Sequence, residues 1–327
     1  MGKLNTDQQR SQALERIQCL KIEEKKLSNL TYSEISGAFY QELRDYFSLC
    51  GMARGKSKYK ISAEKRLFGT RVIIEKSIRS SVKNTLATNP ELKTDLFKQK
   101  FFGGSRKQGV SVRLPLSSCE PTKACANLCY AHDVLDAAPA AVIRGALNGL
   151  ICELFESSPL EFQIYIEKYW AKWIDAAISI SFDEAAVAGF KRKPRIRFGH
   201  VGDGAPFYAL FNALAGEVKK RSNGRVQSVI YTRHSLANKL DPDLFVINFT
   251  LDPTSVDRAK FAPIGSRIVY SAFGGETSDI AEVNFLEHHR FEHFKQIGNG
   301  YVCPATHPDT QVRTCDALKC EKCFVNP

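Results

Sequence analysis

From residue 109 onward, short runs rich in β-branched and aromatic residues alternate with longer stretches of helical periodicity, and this alternation restricts the fold more than any other feature. Strands are expected at 110–114, 195–198, 228–231, 244–249 and 267–271, with helices at 138–155, 160–179 and 206–219. Strands that alternate with helices form parallel βα units. Several of the runs end directly in polar or glycine-rich sequence: His200-Val201-Gly202-Asp203-Gly204, Thr232-Arg233-His234, Asp252-Pro253 and Gly274-Gly275-Glu276. Functional groups gathered at the carboxyl ends of parallel strands are how a (β/α) barrel builds its site. No Rossmann glycine fingerprint follows a strand, so the expectation is an α/β fold of the irregular (β/α) barrel type rather than an open doubly wound sheet.

Residues 1–108 read differently, as a basic and mainly helical N-terminal region ahead of a catalytic domain at 109–327. Two helices are expected between about residues 7 and 49, the second opened by the capping box Thr31-Tyr32-Ser33-Glu34. A basic helix follows through Leu67, Val72, Ile74, Ile78 and Val82, and Phe102-Gly103-Gly104-Ser105 reads as a linker. The chain carries a net charge of +11, and its placement matters more than its sum. Between Gly51 and Arg113 sixteen Lys or Arg face four acids, a local +12, so the remainder is nearly neutral. A concentrated positive field attracts polyanions, because bound phosphates release their counterions. That makes nucleic acid the expected partner, the alternative being a solvated helical face that keeps the protein soluble. Gly55-Lys56-Ser57 is not a phosphate loop, since Cys50 stands where the Walker spacing needs glycine. The sequence has neither an apolar span long enough for a membrane helix nor a signal-peptide core, so a cytoplasmic protein with no membrane partner is expected.

Ten cysteines in a chain of 327 residues, long enough to fold without disulfides, read as metal ligands or reactive thiols. One group is Cys119-x5-Cys125-x3-Cys129, followed by Tyr130, Ala131 and His132. The other is Cys303, Cys315, Cys320 and Cys323, spaced x11, x4 and x2. Thiolates are soft, charged donors, and a Cys-x2-Cys pair spans one edge of a tetrahedron, so the C-terminal group is assigned Zn2+ ahead of an iron–sulfur cluster. Three cysteines leave one metal position to fill, by His132, by a ligand from the other group or by a small molecule; an open position suits an iron–sulfur cluster that binds a cofactor at its unique iron, and the alternative is three small buried residues near a strand end. Cys19, Cys50 and Cys152 lie in helical patterns and are expected in the core.

The run Leu114-Pro115, Cys119, Cys125, Cys129-Tyr130-Ala131 resembles the cysteine motif of the phage gene product eighty-eight family. His200-Val201-Gly202-Asp203, Tyr231-Thr232-Arg233, Ser271 through Gly274-Gly275 to Asp279, and Cys303-Pro304 resemble that family's later signatures in order. Such phage proteins look like distant relatives of tRNA-guanine transglycosylases. The resemblance implies a DNA-guanine transglycosylase that exchanges guanine in phage DNA for a 7-deazaguanine base, shielding the DNA from host restriction. The transglycosylase zinc pattern Cys-x-Cys-x2-Cys is not present, and the first cysteine group is closer to radical iron–sulfur enzymes, though without their Cys-x3-Cys-x2-Cys spacing.

Base exchange needs one carboxylate to attack the sugar and a second acid to serve the leaving and entering bases. Asp203 is the first candidate, flanked by Gly202 and Gly204 so that a ligand can approach; its other reading is a turn aspartate capping the next helix. Asp252 and Asp279 are the remaining carboxylates. Gly274 and Gly275 are placed to offer backbone N–H groups to a purine carbonyl, His200 to tune Asp203, and Arg233 to meet a phosphate or a carboxylate. Two further classes compete with this reading: an iron–sulfur enzyme built on Cys119, Cys125 and Cys129, and a DNA-binding accessory protein stabilised by its metals.

Overall fold

A computed structural model describes residues 6–22, 31–50, 67–89, 101–105, 109–127, 129, 138–157, 164, 170–187, 193–272 and 277–285. The C-terminal cysteines Cys303, Cys315, Cys320 and Cys323, together with Gly274, Gly275 and His132, lie outside the described residues.

The N-terminal layer contains α1 (Thr6–Cys19), α2 (Tyr32–Leu49) and α3 (Leu67–Thr88). The expected capping box is formed: the Glu34 amide donates to Thr31 Oγ1, and the Thr31 amide donates to the Glu34 carboxylate at 2.6 Å. Two of the N-terminal donors that a helix leaves orphaned are thereby satisfied. Ile35, Phe39 and Leu43 of α2 pack with Ile17 of α1 and Ile74, Ile78 and Val82 of α3.

The sheet contains β1 (Phe102–Ser105), β2 (Gly109–Val112), β3 (Arg195–Phe198), β4 (Gln227–Thr232), β5 (Phe245–Leu251), β6 (Arg267–Ser271) and β7 (Val283–Phe285). The strands lie side by side in chain order, with β2 to β7 parallel and β1 antiparallel to β2. The protein is therefore α/β with a mixed sheet, and its strand order has no doubly wound switch point.

Two expectations need correction. The stretch 102–105, expected as a linker, is the edge strand β1, paired antiparallel with β2. The expected barrel is not closed: among the described residues the sheet is open, with β1 and β7 at its edges. The two corrections share a cause. Closing a (β/α) barrel takes about eight parallel strands, whereas here the edge of β2 that a closing strand would need is occupied by β1.

Helices α4 (Lys123–Asn127), α5 (Pro139–Ser157), α6 (Ala171–Val187) and α7 (Tyr208–Arg221) complete the described fold. One face of the sheet, with Val112, Ile196, Phe198, Ile230 and Ile247, packs on Ile151, Cys152 and Phe155 of α5, Ile174 of α6 and Leu210, Phe211 and Leu214 of α7. α5 is buried almost continuously from Val142 to Cys152 because it serves two cores: Val142, Ile143, Ala146, Leu147 and Leu150 pack with the N-terminal helices, Ile151, Cys152 and Phe155 pack with the sheet, and Asn148 donates to Phe101 O and Arg113 O. Of the three cysteines expected in helical cores, Cys152 is buried, Cys50 half-buried and Cys19 exposed at the end of α1. Among the described residues no helix is long and apolar enough to cross a membrane.

Candidate functional site at the carboxyl edge of the sheet

The loop after β2 carries the first cysteine group, and hydrogen bonds draw it across the carboxyl ends of the neighbouring strands. The ladder runs past the strand ends, with the His200 amide donating to Val112 O at 2.7 Å and the Leu114 amide to Val201 O at 2.8 Å. A 3-10 turn at Leu116–Ser118 then leads to Cys119. Three side chains of this loop reach three other loops. Ser118 Oγ accepts the Asp203 amide at 2.9 Å, after β3. Glu120 accepts the Ser235 amide at 2.9 Å, after β4, and its backbone carbonyl accepts Arg258 Nη1 at 3.0 Å. Thr122 Oγ1 donates to Asp252 Oδ2 at 2.5 Å, after β5.

Helix α3 clamps the same turn from the other side. Glu75, fully buried, pairs with Arg71 at 3.0 Å and accepts the Leu116 amide at 2.6 Å. Arg79 donates to Ser117 Oγ at 2.9 Å and pairs with Glu153 of α5 at 3.1 Å. Burial raises the Glu75 pKa, and the neighbouring Arg71 only partly opposes it. Phe68 and Val72 of α3 pack with Cys119, Cys129, Leu116 and Val201. Arg71 and Arg79, two of the charges counted toward the basic segment, are thus spent on structure.

Two expected carboxylates meet at Arg233. Asp203 is buried; its Oδ1 accepts the Ala205 amide at 3.0 Å, its carboxylate accepts Thr232 Oγ1 at 2.8 and 2.9 Å, and its Oδ2 accepts the Arg233 amide at 3.2 Å. The bond to Ala205, at the start of the 3-10 turn before α7, gives the turn-aspartate reading its share of the role. Asp252 is wholly buried; its Oδ1 accepts the amide and hydroxyl of Thr254, and its Oδ2 pairs with Arg233 Nη1 at 2.6 Å. Their protonation is pushed apart. Burial raises the pKa of Asp203 despite its hydrogen bonds. At Asp252 burial acts the same way but is outweighed by the Thr122 and Thr254 hydrogen bonds and the Arg233 charge, so its pKa is lowered.

The other candidates are placed as follows. His200 is buried beside Asp203 in sequence, its amide held by β2. The space beside Gly202 and Gly204 is filled by protein rather than left for a ligand. Gly202, at φ +77°, would bring a Cβ to 2.6 Å from Leu114 Cβ and Pro115 O, and a Cβ on Gly204 would strike the Phe211 ring. On their Cβ sides these glycines let chain approach chain. Asp279 is exposed in the turn before β7, whereas Asp203 and Asp252 follow the carboxyl ends of β3 and β5, so it does not join them.

Cys119, Cys125 and Cys129 share one electrostatic neighbourhood. Burial pushes the Cys119 thiol well up, and Asp203, Cys129 and Cys125 push it further, while Arg233 opposes them. Three thiols of one loop beside a guanidinium have the donor chemistry of a soft-metal site. Their convergence does not match it: among the described residues no group of three or more His, Cys, Asp or Glu is arranged to hold a metal ion. The sequence reading missed Ser118, Glu120, Thr122 and Glu75, because small polar residues in a loop and one acid in a basic helix carry no signal until their partners are known.

No family model, curated protein or solved structure matches this chain.

Proposed function

We propose that the protein is a DNA base-exchange transferase that replaces guanine with a 7-deazaguanine base, working at the carboxyl edge of its parallel sheet. The observation that carries this reading is the Asp203–Arg233–Asp252 constellation, in which one carboxyl is biased toward its protonated form and the other toward its ionised form. Environments that split the pKa values of neighbouring carboxyls are how a site assigns acid and base. Asp252, ionised, is the nucleophile: its carboxylate forms a bond to the sugar anomeric carbon as the glycosidic bond to guanine breaks. Asp203, protonated, gives the departing base its proton and takes one back from the entering base, which displaces Asp252. Thr122, from the cysteine loop, and Arg233 both meet Asp252 Oδ2 and hold the attacking carboxylate in place. The basic segment at 51–113 holds the DNA, and its phosphate contacts offset the few kcal/mol of extracting a base.

A second reading rests on the sequence spacing of Cys119, Cys125 and Cys129 rather than on their placement: an iron–sulfur enzyme acting on nucleic acid. A bound cluster would supply one-electron chemistry at an open iron position. The C-terminal cysteines are assigned Zn2+ on spacing alone.

Mass spectrometry of nucleosides from DNA of cells expressing the protein and supplied with the deazaguanine pathway tests the first reading. A 7-deazaguanine nucleoside is expected, and it disappears with Asp252→Asn. Only normal nucleosides, together with a brown anaerobic preparation, would transfer the assignment to the cluster.

A further inference from the structure

Base exchange gives Cys119, Cys125 and Cys129 no task, although the loop after β2 brings all three to the carboxyl edge as free, half-buried thiols. A metal ion or cluster needs three or more donors turned to one point, and among the described residues no such group is formed. A dithiol needs only two sulfurs. Packing separates the three thiols into a pair and a single. Cys119 and Cys129 pack against one apolar cluster, formed by Leu116 and Val201 with Phe68 and Val72 of α3. Cys125 has no place among the described members of that cluster. It lies in α4, where its amide donates to Thr122 Oγ1 at 3.0 Å.

Charge sorts the thiols in the same way. After burial and the Asp203 carboxylate, the group that presses most on the Cys119 thiol is Cys129, ahead of Cys125. Cys125 sides with Arg233 instead. Burial opposes the Arg233 charge, and Cys125 comes first among the groups that support it, before Asp252. Cys119 is anchored: its amide donates to Leu116 O at 3.0 Å, at the end of the turn that Glu75 of α3 holds. The nine residues between Cys119 and Cys129 form a strap that carries Glu120, which reaches Ser235 and Arg258, and Thr122, which reaches Asp252. A bond between the two sulfurs closes this strap into a ring.

We propose that Cys119 and Cys129 form a dithiol–disulfide site that exchanges with small-molecule disulfides. One cysteine opens the small disulfide, which releases a first small thiol and leaves a mixed disulfide on the chain. The other cysteine displaces the second small thiol and forms the Cys119–Cys129 bond. Two S–H bonds and one S–S bond are consumed, and one S–S bond and two S–H bonds are made. The chain is oxidised, the small disulfide is reduced, and no proton or electron is left over. The ring fixes the strap that bears Thr122 and Glu120, and reduction frees it. The site goes beyond base exchange and does not depend on it, because it concerns two sulfurs and not the two aspartates.

Disulfide mapping of the full chain tests it. Reduced protein is incubated with oxidised glutathione in the absence of oxygen, its remaining thiols are alkylated, and its peptides are read by mass spectrometry. The expected product is a Cys119–Cys129 crosslink, lighter by two hydrogens, with Cys125 alkylated and with both thiols restored by dithiothreitol. Cys125→Ser should keep the crosslink, and Cys129→Ser should lose it. Oxidation should raise the midpoint of thermal unfolding by about 4 °C, since a ring of this size restricts the unfolded chain. Cys119 and Cys129 both alkylated after oxidation of the folded protein, a crosslink that runs through Cys125, or a crosslink that lowers the midpoint would each overturn the proposal. So would iron that co-purifies under anaerobic conditions and is lost with Cys119→Ser, which points to a cluster. Mapping of the unaltered chain decides the matter even where a variant does not fold.

Discussion

Arg233 holds the candidate site together, since its backbone meets one carboxylate and its side chain the other. Asp252→Asn leaves this largely buried guanidinium beside a neutral amide. Breaking a buried pair by removing one charge costs about 3–5 kcal/mol, so urea denaturation at pH 7 should show a loss of that order. The pH dependence follows from the shift. The folded pKa of Asp252 is depressed, so its stabilisation is present above the ordinary carboxylate value and is lost as pH falls through the folded one. The difference between wild type and variant should therefore shrink in acid. Asp203 has the opposite sign: its pKa is raised, so stability declines as pH rises from the ordinary carboxylate range through the folded value. An exchange rate that needs both forms should fall on the alkaline side as Asp203 loses its proton, and a rate that keeps climbing there would remove Asp203 as the acid.

At the level of elements, α3 joins two tasks. It follows the most basic stretch of the chain, and it holds the turn that leads into the cysteine loop through Glu75 and Arg79. Glu75→Gln strands Arg71 in the interior and weakens the bond to the Leu116 amide. A stability loss of about 3 kcal/mol is expected by chemical denaturation, with faster modification of Cys119 by a thiol reagent in the native state. If the modification rate is unchanged in a folded variant, α3 does not position the loop. Thr31→Ala at the other end of the helical layer should cost only about 1 kcal/mol in thermal melting, because a cap satisfies one exposed helix end and touches no charge pair.

At the scale of the whole molecule, the proposed function assigns the basic segment the general, phosphate-directed contacts to nucleic acid. Replacing Arg54, Lys56, Lys58 and Lys60 by alanine should reduce the slope of log K against log salt by about 0.9 for each lost contact to duplex DNA. Filter binding across a salt series reads the first effect, and an unaltered slope would show that these cations do not meet phosphate.

Much of the fold was legible in local pattern. The strands at 195–198 and 267–271 sit where alternation and β-branched residues put them, and the Thr31 capping box formed because its hydrogen bonds close within four residues. Asp203, Asp252 and Arg233 could be nominated because each ends a strand in polar sequence. Closure could not be read, since whether Phe102–Ser105 links or pairs depends on a partner edge rather than on its own residues. Nor could the roles of Gly202 and Gly204, which depend on Leu114, Pro115 and Phe211 arriving from elsewhere in the chain. Periodicity and end chemistry are properties of consecutive residues, so the sequence alone determined the nominees and the elements other than the edge strands β1 and β7. Which carboxyl keeps its proton and which glycine is filled depend on burial and on partners distant along the chain, and only the tertiary structure decided them.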